Sequence, residues 1–230
     1  MKNTCFNATI LTLFPEDFPG ILGSSIPGIG LKKGVWNLKV VNIRDFAEDK
    51  RKTVDDTPCG GGAGMVLKPD VVGKAIESLS KEERENMFYL SPRGQVLNHK
   101  KVKELKSLTH LTLICGHYEG LDERVLEYYN IKELSIGDYV LSGGEVAALV
   151  VLDTIVRQLD CVLGDKNSLL EESFENEGML EYPQYTRPVD WKGLKVPEVL
   201  LSGNHKNIEM WKKEKSMEIT KKNRPELLKK

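Results

Sequence analysis

The sequence predicts an α/β domain built on a largely parallel sheet, followed by a small, mostly helical second domain. Short apolar runs alternate with stretches of helical periodicity through the first two thirds of the chain. Three of those runs end in glycine-bearing loops. Beyond Leu159 the texture turns acidic and aperiodic before a basic, helical tail.

Taken in order, residues 8–14, 36–41, 87–91, 111–115 and 132–136 read as strands, each short, apolar and bounded by turn residues. Between them, Val71, Val72, Ala75, Ile76 and Leu79 recur on one helical face, and Val102, Leu105 and Leu108 do so more weakly. The run 146–159 is an almost wholly apolar helix. Ser142 and Glu145 stand three apart at its start, the spacing of a capping box. The strand at 87–90 runs into Ser91-Pro92-Arg93-Gly94, and that at 111–114 into Cys115-Gly116-His117-Tyr118-Glu119-Gly120. The one at 133–136 runs into a loop holding Gly137, Gly143 and Gly144. In open parallel sheets, ligands bind beyond the carboxyl ends of the strands, so these loops are expected to line one crevice.

The expected organisation is a first domain over 1–162, an acidic connector over 163–181 and a helical domain over 182–230. From Asp160 to Glu181 there are seven acids against Lys166 alone, and from Trp211 to Lys230 eight bases against three acids. The basic tail is compatible with phosphate contacts or with a solvated helix face. Overall charge is balanced at −1, so no general field announces a nucleic-acid partner. Cys5, Cys59, Cys115 and Cys161 form no Cys-x-x-Cys pair, which fits a reduced, cytoplasmic protein. The first apolar run is cut by Pro15 and followed by acids, unlike a secretory signal. No run is long enough to span a membrane.

Several chemistries lack their motifs. No P-loop pattern is present, and the cluster 60–64 fails the Gly-x-Gly-x-x-Gly spacing and follows no strand, so a mobile loop describes it better. There is no Gly-x-Ser-x-Gly elbow. His99, His110, His117 and His205 are scattered. Only His117 lies in a suspected ligand loop, where a hydrogen-bonding or surface role suits it better than catalysis. Arg157 sits near the end of the apolar helix. There a cation must snorkel to water, meet an acid or face a site, and the residues alone leave all three open.

The motifs Tyr89-Leu90-Ser91-Pro92, Cys115-Gly116-His117-Tyr118-Glu119-Gly120-Leu121-Asp122-Glu123-Arg124 and the stretch 135–145 closely resemble the bacterial tRNA (guanine-N1-)-methyltransferase family, TrmD. So do Arg44-Asp45-Phe46, Thr53-Val54-Asp55-Asp56, Tyr185-Thr186-Arg187-Pro188 and the stretch 199–205. The match runs in order along essentially the whole chain. It implies a trefoil-knotted SPOUT methyltransferase that holds S-adenosylmethionine in its knot loops. A knot departs from the usual rule of unthreaded connections, and no periodicity could reveal one. It also implies an obligate homodimer with an active site shared between subunits. The implied substrate is tRNA, methylated on N1 of the guanosine just 3′ of the anticodon, a modification that suppresses frameshifting.

The resemblance assigns the cofactor to Leu90, Ser91 and Pro92, then Gly116, Tyr118, Glu119 and Gly120. The third loop adds Ser135, Ile136, Gly137, Asp138, Tyr139, Val140 and Leu141, with Gly143 and Gly144. Arg157 matches the family arginine that faces guanine O6. The family base usually stands in Asp-Ser-Phe, where this chain reads Glu172-Ser173-Phe174. The extra methylene moves the carboxylate by roughly 1.5 Å, which a connector can absorb. Glu172 is therefore the expected base, with Glu171 its near competitor.

Other departures are smaller. Cys59 stands where the family often has tyrosine, Ala63 where proline is usual and Gln184 where histidine is common. Asp55, Arg187 and His205 match family positions at the tRNA, and structural roles stay open for each. Magnesium comes with the resemblance, though no motif here supplies ligands for it. Two alternatives also remain: a knotted methyltransferase with another RNA target, and a catalytically silent RNA- or cofactor-binding homologue.

Overall fold

The computed structural model describes residues 5–160, 162, 172–175 and 178–228. The chain divides into two compact units, Met1–Gly164 and Asp165–Lys230. Most of the expected connector, including Glu171, lies outside the described residues, as does Cys161.

The first unit runs β1 (Phe6–Thr12), α1 (Ser25–Lys32), β2 (Trp36–Asn42), β3 (Asp55–Asp56), β4 (Val66–Leu67), α2 (Pro69–Glu77) and α3 (Lys81–Arg84). It continues with β5 (Met87–Val96), α4 (His99–Lys106), β6 (His110–Cys115), α5 (Glu123–Tyr128), β7 (Lys132–Ser135) and α6 (Glu145–Val156). Five strands form one sheet in the order β2-β1-β6-β5-β7, every pair parallel. β3 and β4 pair separately, antiparallel.

Period-two alternation splits the sheet's side chains between two cores. Ala8 and Ile10, Phe88 and Leu90, and Leu111, Leu113 and Cys115 pack with Val151, Leu152 and Ile155 of α6. Their neighbours Leu11, Met87, Tyr89 and Ile114 pack with Val71, Val72 and Ile76 of α2 and Val125 of α5. Burial on both faces is why the central strands read as continuous apolar runs.

The strands expected from the sequence are all present, with ends shifted by a residue or two except at β5. That strand leaves the ladder after Leu90 and rejoins it at Gln95, so the expected loop at residues 91–94 is an excursion within one strand. A Cβ on Gly94 would lie 2.3 Å from the Leu134 amide nitrogen, so only glycine lets the excursion cross β7 this closely. The sequence did not announce α1, whose Ser25-Ile26-Pro27-Gly28-Ile29-Gly30 stretch mixes a proline and two glycines in six residues. Packing overrides propensity there. A Cβ on Gly30 would meet the Trp36 ring at 3.2 Å, and the Trp36 indole nitrogen donates to the Pro27 carbonyl.

The second unit carries a hairpin of β8 (Asp190–Trp191) and β9 (Leu194–Lys195), then α7 (Glu198–Leu201) and α8 (His205–Asn223). Lys192 and Gly193 both take positive φ, the tight two-residue turn that such a hairpin favours. α8 is polar nearly all round; Tyr182 and Tyr185 pack edge-on or tilted against its Trp211. The Thr220 hydroxyl accepts from the Leu180 amide at 2.9 Å.

Candidate active site

β5, β6 and β7 end side by side, and their three loops enclose a cavity of about 360 Å³. Leu90, Ser91 and Pro92 line it from the β5 excursion, and Gly116, Tyr118, Glu119 and Gly120 from the loop after β6. Ser135, Ile136, Gly137, Tyr139, Val140 and Leu141 line it from the loop after β7. Of the expected cofactor positions, Asp138, Gly143 and Gly144 are not on the wall. Gly144 serves the packing instead, since a Cβ there would lie 2.7 Å from the Cys115 Cα. Its bare backbone lets α6 start against the end of β6, where its amide donates to the Gly116 carbonyl at 2.9 Å. Asp138 is exposed.

The walls mix apolar residues (Leu90, Leu134, Ile136, Leu141 and Ala147) with glycines (Gly116, Gly120 and Gly137) and polar residues that include Ser91, Ser135 and Glu119. That volume and composition suit a small amphiphilic ligand. A cationic nucleoside such as S-adenosylmethionine fits that lining: apolar residues for its base, glycines that let backbone come close to its polar edge and an acidic residue, Glu119, among the walls. Arg93 braces the rim. Its guanidinium donates to Glu133 at 3.0 and 2.9 Å and to Glu123 at 2.9 Å, tying the β5 excursion to β7 and α5. These acids hold the Arg93 pKa above its ordinary value. Burial pushes the Tyr89 hydroxyl up and the Cys115 thiol well up, so neither is a ready nucleophile or base.

The capping box expected from Ser142 and Glu145 does not form. Gly144 is the N-cap of α6 and caps with no side chain. Glu145 instead turns inward, where its buried carboxylate accepts from the Thr12 hydroxyl at 2.5 Å and sits 2.7 Å from His117 Nε2. The hydrogen-bonding role expected for His117 is the one it has. The sequence singled out neither Arg93 nor the pairing of Glu145 with His117, because side chains from segments far apart in the chain meet there without any shared spacing.

The family model described as tRNA (Guanine-1)-methyltransferase TrmD matches residues 6–230. The chain belongs to that family. It is similar to a protein of Wolbachia pipientis wMel named tRNA (guanine-N(1)-)-methyltransferase, 56% identical over 225 residues, covering 97% of this chain and 95% of that protein. Proteins of the same name from Ehrlichia ruminantium (strain Welgevonden) and Rhizobium johnstonii are each 52% identical. They cover 96% and 98% of this chain, and 95% and 92% of their own lengths.

Of the two residues expected to do the family's chemistry, Arg157 does not line the cavity. It is the C-cap of α6, half-buried, at the far end of the helix whose first turn adjoins the cavity. Glu172 belongs to the second unit, half-buried in a tight turn. Next to it the Ser173 hydroxyl accepts from the Glu181 amide at 2.9 Å, and the Phe174 amide donates to the Met179 carbonyl. Asp55 pairs with Leu67 in the β3–β4 ladder, while Arg187 and His205 are exposed on the second unit, His205 as the first residue of α8. Among the described residues, no cluster of three or more His, Cys, Asp or Glu could hold a metal ion. No helix among them is long and apolar enough to cross a membrane.

Proposed function

We propose that this methyltransferase acts in the cytoplasm, transferring a methyl group from S-adenosylmethionine to N1 of the guanosine immediately 3′ of the anticodon in tRNA. The observation that carries the reading is the cavity itself. It is walled by the three loops whose motifs mark the family, in a chain that matches the family along nearly its whole length.

When bound, the cofactor supplies an already activated methyl group, so the protein's own work falls on the guanine. N1 of guanine carries a proton and is a poor nucleophile until that proton leaves. Glu172 is the acceptor in this reading, a carboxylate one methylene longer than the usual family aspartate. Negative charge then builds toward O6, and the Arg157 guanidinium, which stays protonated, neutralises it. Leu90, Gly116, Tyr118 and the 135–141 loop hold the cofactor within the trefoil knot, and Asp55, Arg187 and His205 contact the tRNA.

The site is shared between two copies of the chain. Two observations support this. Arg157 and the cavity stand at opposite ends of α6, too far apart for one chain to bring them together around one base. α6 is also apolar over most of its length, with Asp153 and Thr154 near its end, yet Val146 and Val150 are exposed on its first two turns, as are Ile26 and Ile29 on neighbouring α1. An exposed cluster of branched apolar side chains on two adjoining helices is the kind of surface a second copy covers.

The test is methyl transfer from labelled S-adenosylmethionine to two otherwise identical transcripts. One carries guanosine 3′ of the anticodon, the other adenosine. Label on the first alone is the expected result, and label on both or on neither rules the proposed target out.

A further inference from the structure

We propose that His117 and Glu145 are positioning residues: together with Thr12 they lock two walls of the cavity into the shape that takes the cofactor. The inference rests on reading the cavity as the cofactor site.

Three separate chain segments meet at the Glu145 carboxylate. Thr12, the last residue of β1, donates its hydroxyl to Oε1 at 2.5 Å. The same hydroxyl oxygen accepts from the Phe14 amide at 2.9 Å, which directs the chain leaving β1. His117, itself a wall residue between Gly116 and Tyr118, places Nε2 2.7 Å from Oε2. Its ring also packs tilted against the Phe14 ring, centroids 4.8 Å apart. Glu145 itself opens α6, directly after the loop that forms the third wall.

Glu145 is only 5% exposed. A buried carboxylate has no water to fall back on, so each of these donors is needed to keep it satisfied. The backbone makes the same join. His117 and Gly143 form an antiparallel bridge, and the Gly144 amide donates to the Gly116 carbonyl. A Cβ on Gly143 would lie 2.4 Å from His117 Cε1 and 2.6 Å from Glu145 Oε2, so the imidazole is seated with no slack.

A ligand that must order its own pocket loses affinity to that ordering, whereas a pocket held in shape beforehand does not. The His117–Glu145 contact ties the loop after β6 to the loop after β7. Tyr118 and Glu119 on one side and Leu141 and Ser142 on the other are thereby fixed relative to each other before any ligand arrives. Neither residue is asked to touch the reacting atoms.

The test uses the full-length protein and three variants: His117→Ala, His117→Gln and Thr12→Val. S-adenosylmethionine affinity is measured by calorimetry, and steady-state kinetics separate KM for the cofactor, KM for tRNA and kcat. His117→Ala is expected to raise Kd and KM for the cofactor by about tenfold or more, the worth of a lost bond to a charged group. The tRNA KM and the kcat at saturating cofactor stay unchanged. In His117→Gln the side-chain amide still donates to Glu145 and recovers most of the affinity, which a purely structural plug would not do. Thr12→Val removes the other donor at nearly constant volume and is read the same way should the alanine variant fail to fold. Unchanged cofactor affinity in both the alanine and valine variants overturns the proposal, as does a glutamine variant no better than alanine. If the unaltered protein itself binds no S-adenosylmethionine, the cofactor reading falls, and this inference with it.

Discussion

Arg157 and Gly144 bracket α6, Gly144 as its N-cap against the end of β6 and Arg157 as its C-cap. At 1.5 Å per residue they are about 20 Å apart. That separation is why the proposed shared site takes the guanidinium at one end of the helix from a second copy of the chain.

This geometry makes a complementation test decisive. Arg157→Ala should lower kcat by about 10²- to 10³-fold while leaving cofactor affinity intact. Gly116→Val should disable the cavity, because a Cβ there would lie 2.5 Å from the Tyr89 hydroxyl. Mixed dimers of the two inactive chains should regain methyl transfer, since one site then combines an intact cavity with an intact arginine. No recovery in verified mixed dimers would place the arginine and cavity of each site on the same chain.

Glu172→Gln should bind S-adenosylmethionine normally and lose transfer by about 10²-fold or more, the usual worth of a general base. Glu172→Asp, which restores the commoner family length, should stay within about tenfold of the unaltered enzyme. Single-turnover rates measured with saturating tRNA check both. A glutamine variant with near-normal turnover would assign proton removal to another group.

Gly144→Ala should destabilise the first unit by about 1–3 kcal/mol, the cost of forcing a methyl group into a filled space. Its Cβ would press on the Cys115 Cα at 2.7 Å and the Gly116 amide nitrogen at 2.9 Å. Urea titration of the two proteins gives the difference directly. An unchanged midpoint would mean that the start of α6 can move away from β6.

Glu83 predicts a specific acid sensitivity. Burial raises its pKa, but the Lys39 ammonium at 2.8 Å, the Ser80 amide and the Thr9 hydroxyl outweigh burial and bring it down to about 2. A carboxyl lowered in the folded state stabilises the fold above its unfolded value near 4.5, and that stabilisation is lost as pH falls from there toward 2. Since Lys39 is half exposed, solvent screens part of the effect, leaving on the order of 2 kcal/mol. Glu83→Gln should therefore be less stable than the parent at neutral pH, and the gap should close below about pH 4. A gap that stays constant with pH would attribute the effect to packing.

What was legible in the sequence was what local pattern dictates. Short apolar runs in β1, β6 and β7 and the 3.6-residue spacing of Val71, Val72, Ala75 and Ile76 placed the sheet and its cover. Glycines at three strand ends pointed to one crevice, and most positions named there line one cavity. What escaped the sequence depends on contacts between segments far apart in the chain. α1 forms despite poor propensity because Trp36 packs over it. Glu145 abandons the expected cap because Thr12, 133 residues earlier, offers its carboxylate a buried hydroxyl. No spacing rule connects such partners.

The β5 excursion has a consequence for tolerance to insertion and deletion. Leu134 is the ladder partner of both Leu90 and Gln95, so both ends of residues 91–94 are pinned to one residue of β7. Most surface loops accept added or missing residues cheaply. Here, removing one residue would shift Val96 to the opposite face of the sheet and misplace the Leu97 amide that donates to the Ser135 carbonyl at 2.7 Å. This wall of the cavity can change its side chains, but its length in residues is set by the strand beside it.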